Sequence, residues 1–287
     1  MSASPDLLDQ ALIRRCLVKE LSESHRDSLL NDVEVLASVA STSSYLLNNE
    51  IPVGRGCVCL AEEQTAGRGR RGNTWQAAPQ KNLIVSLSWG FESCPAAISA
   101  LGLAVGLTVA ERLNADYSLD IGIKWPNDLL VGGHKLAGIL VDAVAGKGSV
   151  FNVVIGLGLN VNQADFIRDA EVSYSMTDLR SNGVVESRNV LAGVIAADLL
   201  VMLSNYEREG FAPLAERWNA LSSYSGQEVV LLDQVNGRSS GLGVITGVME
   251  GVDVSGQLLV RKDGGKIEAV NSSRYSLRLA QDEKING

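Results

Sequence analysis

Three glycines alternate with three arginines at Gly67-Arg68-Gly69-Arg70-Arg71-Gly72, and Trp75 follows closely. Glycine lets a backbone approach a ligand and tolerates positive φ. Arginine presents a planar fork of donors that matches phosphate and carboxylate. Arg68 and Arg70 sit at alternate positions, from which their side chains could converge on one anion, and Gln64 and Thr65 just ahead add neutral polar groups. A solvated basic turn would have the same composition, so the stretch gains weight only from company. Lys124-Trp125-Pro126-Asn127-Asp128 ends a strand in residues that favour turns. Lys135-Leu136-Ala137-Gly138-Ile139-Leu140-Val141-Asp142 opens an apolar strand on a lysine, a place where lysine ordinarily guards an edge or snorkels to solvent. Seven residues and a glycine turn separate Asp128 from Lys135, so a hairpin can bring the two to one end of a site. Gly156-x-Gly158-x-Asn160 puts two glycines inside a strand, which weakens it unless something approaches the backbone or a bulge forms. As one pocket, these segments offer cations for phosphate and a slender floor for an aromatic or bicyclic ligand. That suits adenylate formation, in which a carboxylate attacks the α-phosphate of ATP and Lys, Arg and Mg²⁺ neutralise the charge that builds on phosphorus.

The elements that must position these groups can be read along the chain. Residues 5–21 form an amphipathic pattern, with Leu8, Ala11, Leu12 and Arg15 at helical spacing. Residues 33–39 alternate as a strand, and Ser41-Thr42-Ser43 offers an N-cap cluster for a short helix. Strands are expected at 56–61 and 82–88, and a long apolar helix from Pro95 to about Asn114. A meander follows at 121–125, 129–131, 135–144 and 150–161, joined by the turns Gly132-Gly133 and 145–148, so its neighbours must be antiparallel. A long helix should run from Arg188 to about Glu209 and stop at Gly210, with a further helix at 211–221. From about Gly226 the pattern changes to short strands at 228–232, 241–248, 257–261, 266–270 and 275–279, which suggest a small barrel after a boundary at 222–225.

Composition bounds the partners. The 287 residues are 46% hydrophobic and carry a formal net charge of −8, which suits a packed globular protein and speaks against a general nucleic-acid binder. The longest weakly polar run noted, residues 96–110, falls short of the roughly 20 residues of a membrane span. Residues 1–10 hold two Asp and no basic region, so no signal peptide is expected. Cys16, Cys57, Cys59 and Cys94 read as structural thiols of a reducing cytoplasm, because C-x-C alone lacks further ligands and His25 and His134 do not complete a metal site.

In order and spacing, Ser41-Thr42, the loop 67–75, Lys124 to Asp128, Lys135 to Leu140 and Gly156 to Asn160 resemble the biotin–protein ligase family, over about residues 33–279. The resemblance implies an α+β fold: a catalytic domain like that of class II aminoacyl-tRNA synthetases, with a mixed, largely antiparallel sheet and helices, then a small SH3-like β-barrel. It divides the chain into a helical extension (1–32), a catalytic domain (33–222) and a barrel (226–281). It implies that biotin and MgATP give biotinyl-5′-AMP, and that biotin then passes to a lysine of a biotin carboxyl carrier domain. Ser41, Thr42, Gln64 and Gly67 would bind biotin, with the backbone of Gly138, Gly156 and Gly158. Lys135 would be the main electrostatic catalyst. Arg68 and Arg70 would contact the anhydride and phosphates, and Asp128 would orient the attacking lysine or the metal. Lys124, Asn127, Asn160, Met176 and Arg70 would face ATP. Asn73 and Asp142 stand where relatives usually have a basic residue and a glutamate. Bifunctional relatives carry an N-terminal winged helix-turn-helix, and forty residues before Ser41 are too few for one, so a monofunctional form without DNA or membrane partners is expected, as monomer or homodimer. A lipoate-type ligase of the same fold and a non-catalytic biotin sensor are the alternatives.

Overall fold

The computed structural model of the protein describes residues 6–164, 175–235, 238–239, 245–272 and 275–283. Seven strands form the larger sheet: β1 (Leu30–Leu36), β2 (Gly56–Ala61), β3 (Asn82–Phe91), β4 (Ile121–Lys124), β5 (Asp128–Val131), β6 (His134–Ala145) and β7 (Phe151–Asn160). Their order is β1-β2-β3-β7-β6-β5-β4. Only β1 and β2 run parallel; every other neighbouring pair is antiparallel, as the short turns that join β4 to β5, β5 to β6 and β6 to β7 require of those three pairs.

Alternation along β3 assigns the two faces. Leu83, Val85, Leu87 and Trp89 are buried in the main core. The helices on that face are α1 (Gln10–Glu20), α4 (Leu101–Tyr117) and α5 (Arg188–Glu209). Between α1 and α4 come α2 (Glu23–Arg26) and α3 (Thr42–Leu47), and α6 (Ala215–Ala220) follows α5. Asp9 caps α1, accepting from the Leu12 amide at 2.8 Å, and Ile13 and Leu17 are buried against α5. Helices α1 and α5 meet at Gly193, where a Cβ would come 2.5 Å from Cys16 Cβ. Asn82, Ser86 and Ser88 point to the opposite face, with Gly156 and Gly158 of β7 in register beside them. The sequence thus builds one greasy side for helices and one polar, thin side for a site.

Several boundaries differ from expectation: β1 is Leu30–Leu36 rather than 33–39, α1 is Gln10–Glu20 rather than 5–21, and β3 runs on to Phe91. The long helix begins at Leu101 rather than at Pro95, because Ala97 adopts a left-handed conformation (φ 55) and a 3₁₀ turn, Ile98–Ala100, precedes it. The 211–221 segment is a 3₁₀ turn, Ala212–Leu214, and the short α6. Among the described residues the longest apolar helix is α5, not the 96–110 run. It is long and apolar enough to cross a membrane by composition, yet 67% of that window is buried in the core.

The C-terminal domain contains β8 (Glu228–Val235), β9 (Arg238–Ser239), β10 (Ile245–Val252), β11 (Leu258–Arg261), β12 (Ile267–Val270) and β13 (Tyr275–Leu279). The order β12-β11-β10-β8-β13 is antiparallel throughout, with β9 on β8; the first part of the strand expected at 241–248, residues 241–244, lies outside the described residues. Val229, Leu231, Met249, Leu258, Val260 and Leu277 fill its interior. It packs on the preceding domain: Trp125 Nε1 donates to Gly256 O (3.5 Å), and a Cβ at Gly256 would lie 2.4 Å from Ala100 Cβ. The α+β class expected from the sequence is therefore observed, with a mixed sheet followed by a small antiparallel β domain.

Candidate active site

Helix α3 stands over the polar face of β3 and β7. Ser41 is its N-cap, accepting from the Ser44 amide at 3.4 Å. Thr42 Oγ1 and Ser43 Oγ approach Ser86 Oγ at 2.7 and 2.9 Å, and Gln64 Oε1 accepts from the Thr42 amide (2.9 Å) and hydroxyl (3.1 Å). A Cβ on Gly156 would meet Ser43 Oγ at 2.8 Å, so the first floor glycine makes room for this hydroxyl cluster.

The β5–β6 hairpin turns at Gly132-Gly133, both at positive φ (57 and 83), and returns Lys135 toward Asp128. Their Nζ and Oδ1 lie 2.7 Å apart, with side chains 16% and 20% exposed. Lys135 Nζ also sits 5.5 Å from the ring centre of Trp75, a cation–π geometry. The glycine floor is covered by this indole: a Cβ at Gly158 would lie 2.2 Å from Trp75 Cε2, and one at Gly138 2.9 Å from Cζ3. The slender floor anticipated for a ligand therefore seats the protein's own aromatic ring.

Trp75 reaches that seat because the loop is a small hairpin. Trp75 N donates to Gly67 O (3.0 Å), Gly69 N to Asn73 O (2.7 Å), and Arg70–Gly72 form the turn with Arg71 in the left-handed region (φ 58, ψ 34). The hairpin also corrects one expectation: Arg68 and Arg70 do not converge. Arg68, on the first arm, forms a two-pronged pair with Asp142 (3.0 and 3.0 Å). Arg70, in the turn, donates to Asn127 Oδ1 (3.1 Å) and Ser272 O (2.7 Å). Burial pushes its pKa down to about 10, helped by neighbouring Arg71 and opposed by Asp128. Asp142, where relatives were expected to have glutamate, still reaches Arg68. The backbone at Asn73 closes the turn.

Asn127 donates through Nδ2 to Ile139 O (3.0 Å), which fixes it between the β4–β5 turn and β6. Lys124 Nζ lies 5.8 Å from the Tyr224 ring centre. Met176 bridges Lys135 in parallel, with Lys135 N donating to Ser175 O and Thr177 N to Lys135 O (both 2.9 Å). Asn160 donates to Thr177 O (2.9 Å), while its Oδ1 and the Trp75 Nε1 are buried without a hydrogen-bond partner among the described residues. Such orphans call for a ligand or water. Thus Lys124, Asn127, Asp128, Lys135, Gly138, Gly158, Asn160 and Met176 gather on β4–β7 and its margin, whereas Ser41, Thr42, Gln64 and Gly156 form a separate cluster under α3. Among the described residues, no three or more of His, Cys, Asp and Glu group so as to hold a metal.

Sequence reading missed Ser43 and Ser86, and the support behind them. Asn82 and Gln163 hydrogen-bond through their side chains, Gln163 N donates to Asp178 (2.7 Å), and buried Arg188 pairs with Glu62 (2.8 Å) at the root of the loop. Polar residues at even spacing in an otherwise apolar strand (Asn82, Ser86, Ser88) are the signal that could have found the first of these.

Residues 35–160 match the model of the biotin/lipoate A/B protein ligase family, and residues 224–278 match the biotin protein ligase C-terminal domain. Over 249 residues the chain is 36% identical to the bifunctional ligase/repressor BirA of Escherichia coli, covering 87% of this chain and 75% of that protein. The chain belongs to the biotin protein ligase family. It is also 32% identical to the biotin–[acetyl-CoA-carboxylase] ligase of Mycobacterium tuberculosis, covering 84% and 90% of the two chains. The biotin protein ligase of Aquifex aeolicus, solved in complex with biotin and ATP, superposes with a TM-score of 0.70 at 26% identity, covering 88% of this chain and all of that one. In this biotin protein ligase family member the two matched regions meet at the loop: Arg70 and Arg71 donate to carbonyls at Ser272 and Tyr275.

Proposed function

We propose that this protein is an ATP-dependent biotin–protein ligase, an enzyme that activates biotin and attaches it to a carrier lysine. A biotin carboxylate oxygen attacks the α-phosphorus of ATP, the bond to the β-phosphate oxygen breaks, and biotinyl-5′-AMP and pyrophosphate form. The amine of a lysine on a biotin carboxyl carrier domain then attacks the anhydride carbonyl, AMP leaves, and the amine sheds a proton. The observation that carries this reading is the Lys135 ammonium, held by Asp128 beneath Trp75 at the edge of a glycine-thinned floor. A cation fixed in place before reaction stabilises developing phosphoryl charge without reorganising.

In this scheme the hydroxyl cluster of Ser41 and Thr42, with Gln64 and the backbone at Gly67, Gly138, Gly156 and Gly158, recognises the polar head of biotin. Lys135 bridges the biotin carboxylate and the α-phosphate. Asp128 holds Lys135 and can orient the incoming amine. Arg68 exchanges Asp142 for phosphate oxygens, and Arg70 supplies a second cation. Lys124, Asn127, Asn160 and Met176 line the nucleotide side, where the orphaned Asn160 Oδ1 suits an amino-group donor. Magnesium enters as the counter-ion of the nucleotide phosphates, carried by the substrate. The domain limits 33–222 and 226–281, a cytoplasmic setting consistent with four free cysteines, and a monomeric or homodimeric state complete the proposal.

A lipoate-type reading shares the first family model, whose description covers both ligases, but the match at 224–278 is to a biotin ligase domain. The test is biotin-dependent exchange of labelled pyrophosphate into ATP, followed by avidin-detectable labelling of a purified carrier domain. Pyrophosphate exchange driven by lipoate and not biotin would overturn the assignment. A biotin sensor would bind the vitamin and give no pyrophosphate exchange at all.

A further inference from the structure

We propose that Arg71 is a positioning residue that latches the glycine–arginine loop to the C-terminal β domain, and that this domain serves the reaction by holding the loop shut. The kinetic half of this inference rests on the ligase reading; the conformational half does not.

Arg71 is a non-glycine residue in the left-handed region, a conformation disfavoured for a residue with a side chain. Something outside the loop must favour it. Its guanidinium donates to Tyr275 O (2.8 Å), at the first residue of β13, and to Ser272 O (3.2 Å). Asp233 of β8 is the register partner of Tyr275 and is buried; its charge supports the Arg71 cation, whose pKa burial lowers. Both bonds leave one nitrogen, Nη2, whose two N–H groups lie in the guanidinium plane, so the pair of carbonyls fixes the plane's direction as well as its distance; the rotating head of a lysine ammonium has no such plane.

The latch continues into the site. Ser272 O is shared with Arg70, whose other nitrogen donates to Asn127 Oδ1, and the next residue, Asp128, holds Lys135. Two adjacent arginines therefore link the C-terminal domain to the Asp128–Lys135 pair, and the same hairpin ends in the indole that covers Gly158. A solvated basic turn would leave Arg71 in water. Here it is spent on backbone acceptors about 200 residues away.

The experiment uses the full chain and the substitutions Arg71→Ala and Arg71→Lys. Without ligands, amide hydrogen exchange at Gly69 and Trp75, whose amides close the hairpin, should quicken about tenfold in Arg71→Ala, as expected for loss of one or two such bonds. The effect should be smaller but measurable in Arg71→Lys, which keeps the charge beside Asp233 and carries the test if the alanine variant melts early. Amides of β3 and β7 should be unaffected. With biotin and MgATP, free biotinyl-5′-AMP released per biotin transferred should rise about tenfold. Loop amides within twofold of the parent in both variants overturn the latch. Faster loop amides with unchanged release of the adenylate overturn its role in the reaction. If the parent itself gave no pyrophosphate exchange, the ligase reading would fail while the amide data would still decide the latch.

Discussion

Replacing Lys135 by methionine removes a charge while keeping an unbranched stem over Trp75 and Gly138. At 2.7 Å and an effective dielectric near 20, the Lys135–Asp128 attraction is about 6 kcal/mol before desolvation. Desolvation offsets much of that, and both side chains keep some solvent contact. The expected stability loss is therefore about 1–3 kcal/mol, below the range for a fully buried broken pair. The catalytic loss should be larger in consequence. Removal of one preorganised charge stabiliser typically costs 10²–10³ in rate, about 2.7–4 kcal/mol. Biotin affinity should weaken less than about tenfold, or 1.4 kcal/mol, because the hydroxyl cluster under α3 does not involve Lys135. The assay is pyrophosphate exchange at saturating biotin, with biotin affinity by calorimetry and stability by urea melts. Adding Asp128→Asn to Lys135→Met should recover most of the stability and none of the rate. A single variant that exchanges pyrophosphate within threefold of the parent would refute the electrostatic role given to Lys135.

Gly158→Ala forces its methyl into the Trp75 ring, so the ring must leave; overpacking of about 1–3 kcal/mol should show as solvent-exposed tryptophan fluorescence and faster loss of the adenylate, and an unshifted spectrum would count against the seat. Because burial lowers Arg70 to about 10, its protonated form is present below that pH and lost as pH rises through it. The alkaline limb of kcat/KM should therefore differ between the parent and Arg70→Gln near pH 10, and coincident limbs would contradict a role for its charge. The same shift penalises the folded protein below about pH 10 and is relieved as pH rises from there toward the unfolded value, so the parent should gain stability relative to Arg70→Gln in alkaline urea melts, and a relative loss would contradict the shift. Cys59, pushed up to about 12 chiefly by burial, should resist iodoacetamide at pH 8, whereas exposed Cys94 should be alkylated; mass spectrometry that finds modified Cys59 in folded protein would contradict its placement.

Much of the site was legible because its motifs are local. Strand periodicity and the Gly132-Gly133 turn are enough to bring Lys135 back to Asp128, and alternation marks Gly156, Gly158 and Asn160 as one face. What could not be read depends on pairings distant in sequence. Nothing near Trp75 says that its ring will rest on Gly158, and nothing near Arg71 names Ser272 or Tyr275. Alternate spacing suggested that Arg68 and Arg70 aim together, but the turn between them sends one to Asp142 and the other to Asn127. The helix start at Leu101 escaped notice because proline in a first turn is favourable in general, while the left-handed Ala97 that displaced it carries no sequence mark.

The carbonyl of Ser272 lies 202 residues beyond the arginine that binds it. At roughly 5–20 residues per second of translation, the loop leaves the ribosome about 10–40 s before its acceptor is made. A growing chain can thus assemble its sheet with the loop still unanchored, and a product cut short by nonsense or proteolysis never gains the anchor. Completion of synthesis would then act as a licence: only the finished enzyme keeps a reactive acyl phosphate from straying onto neighbouring amines.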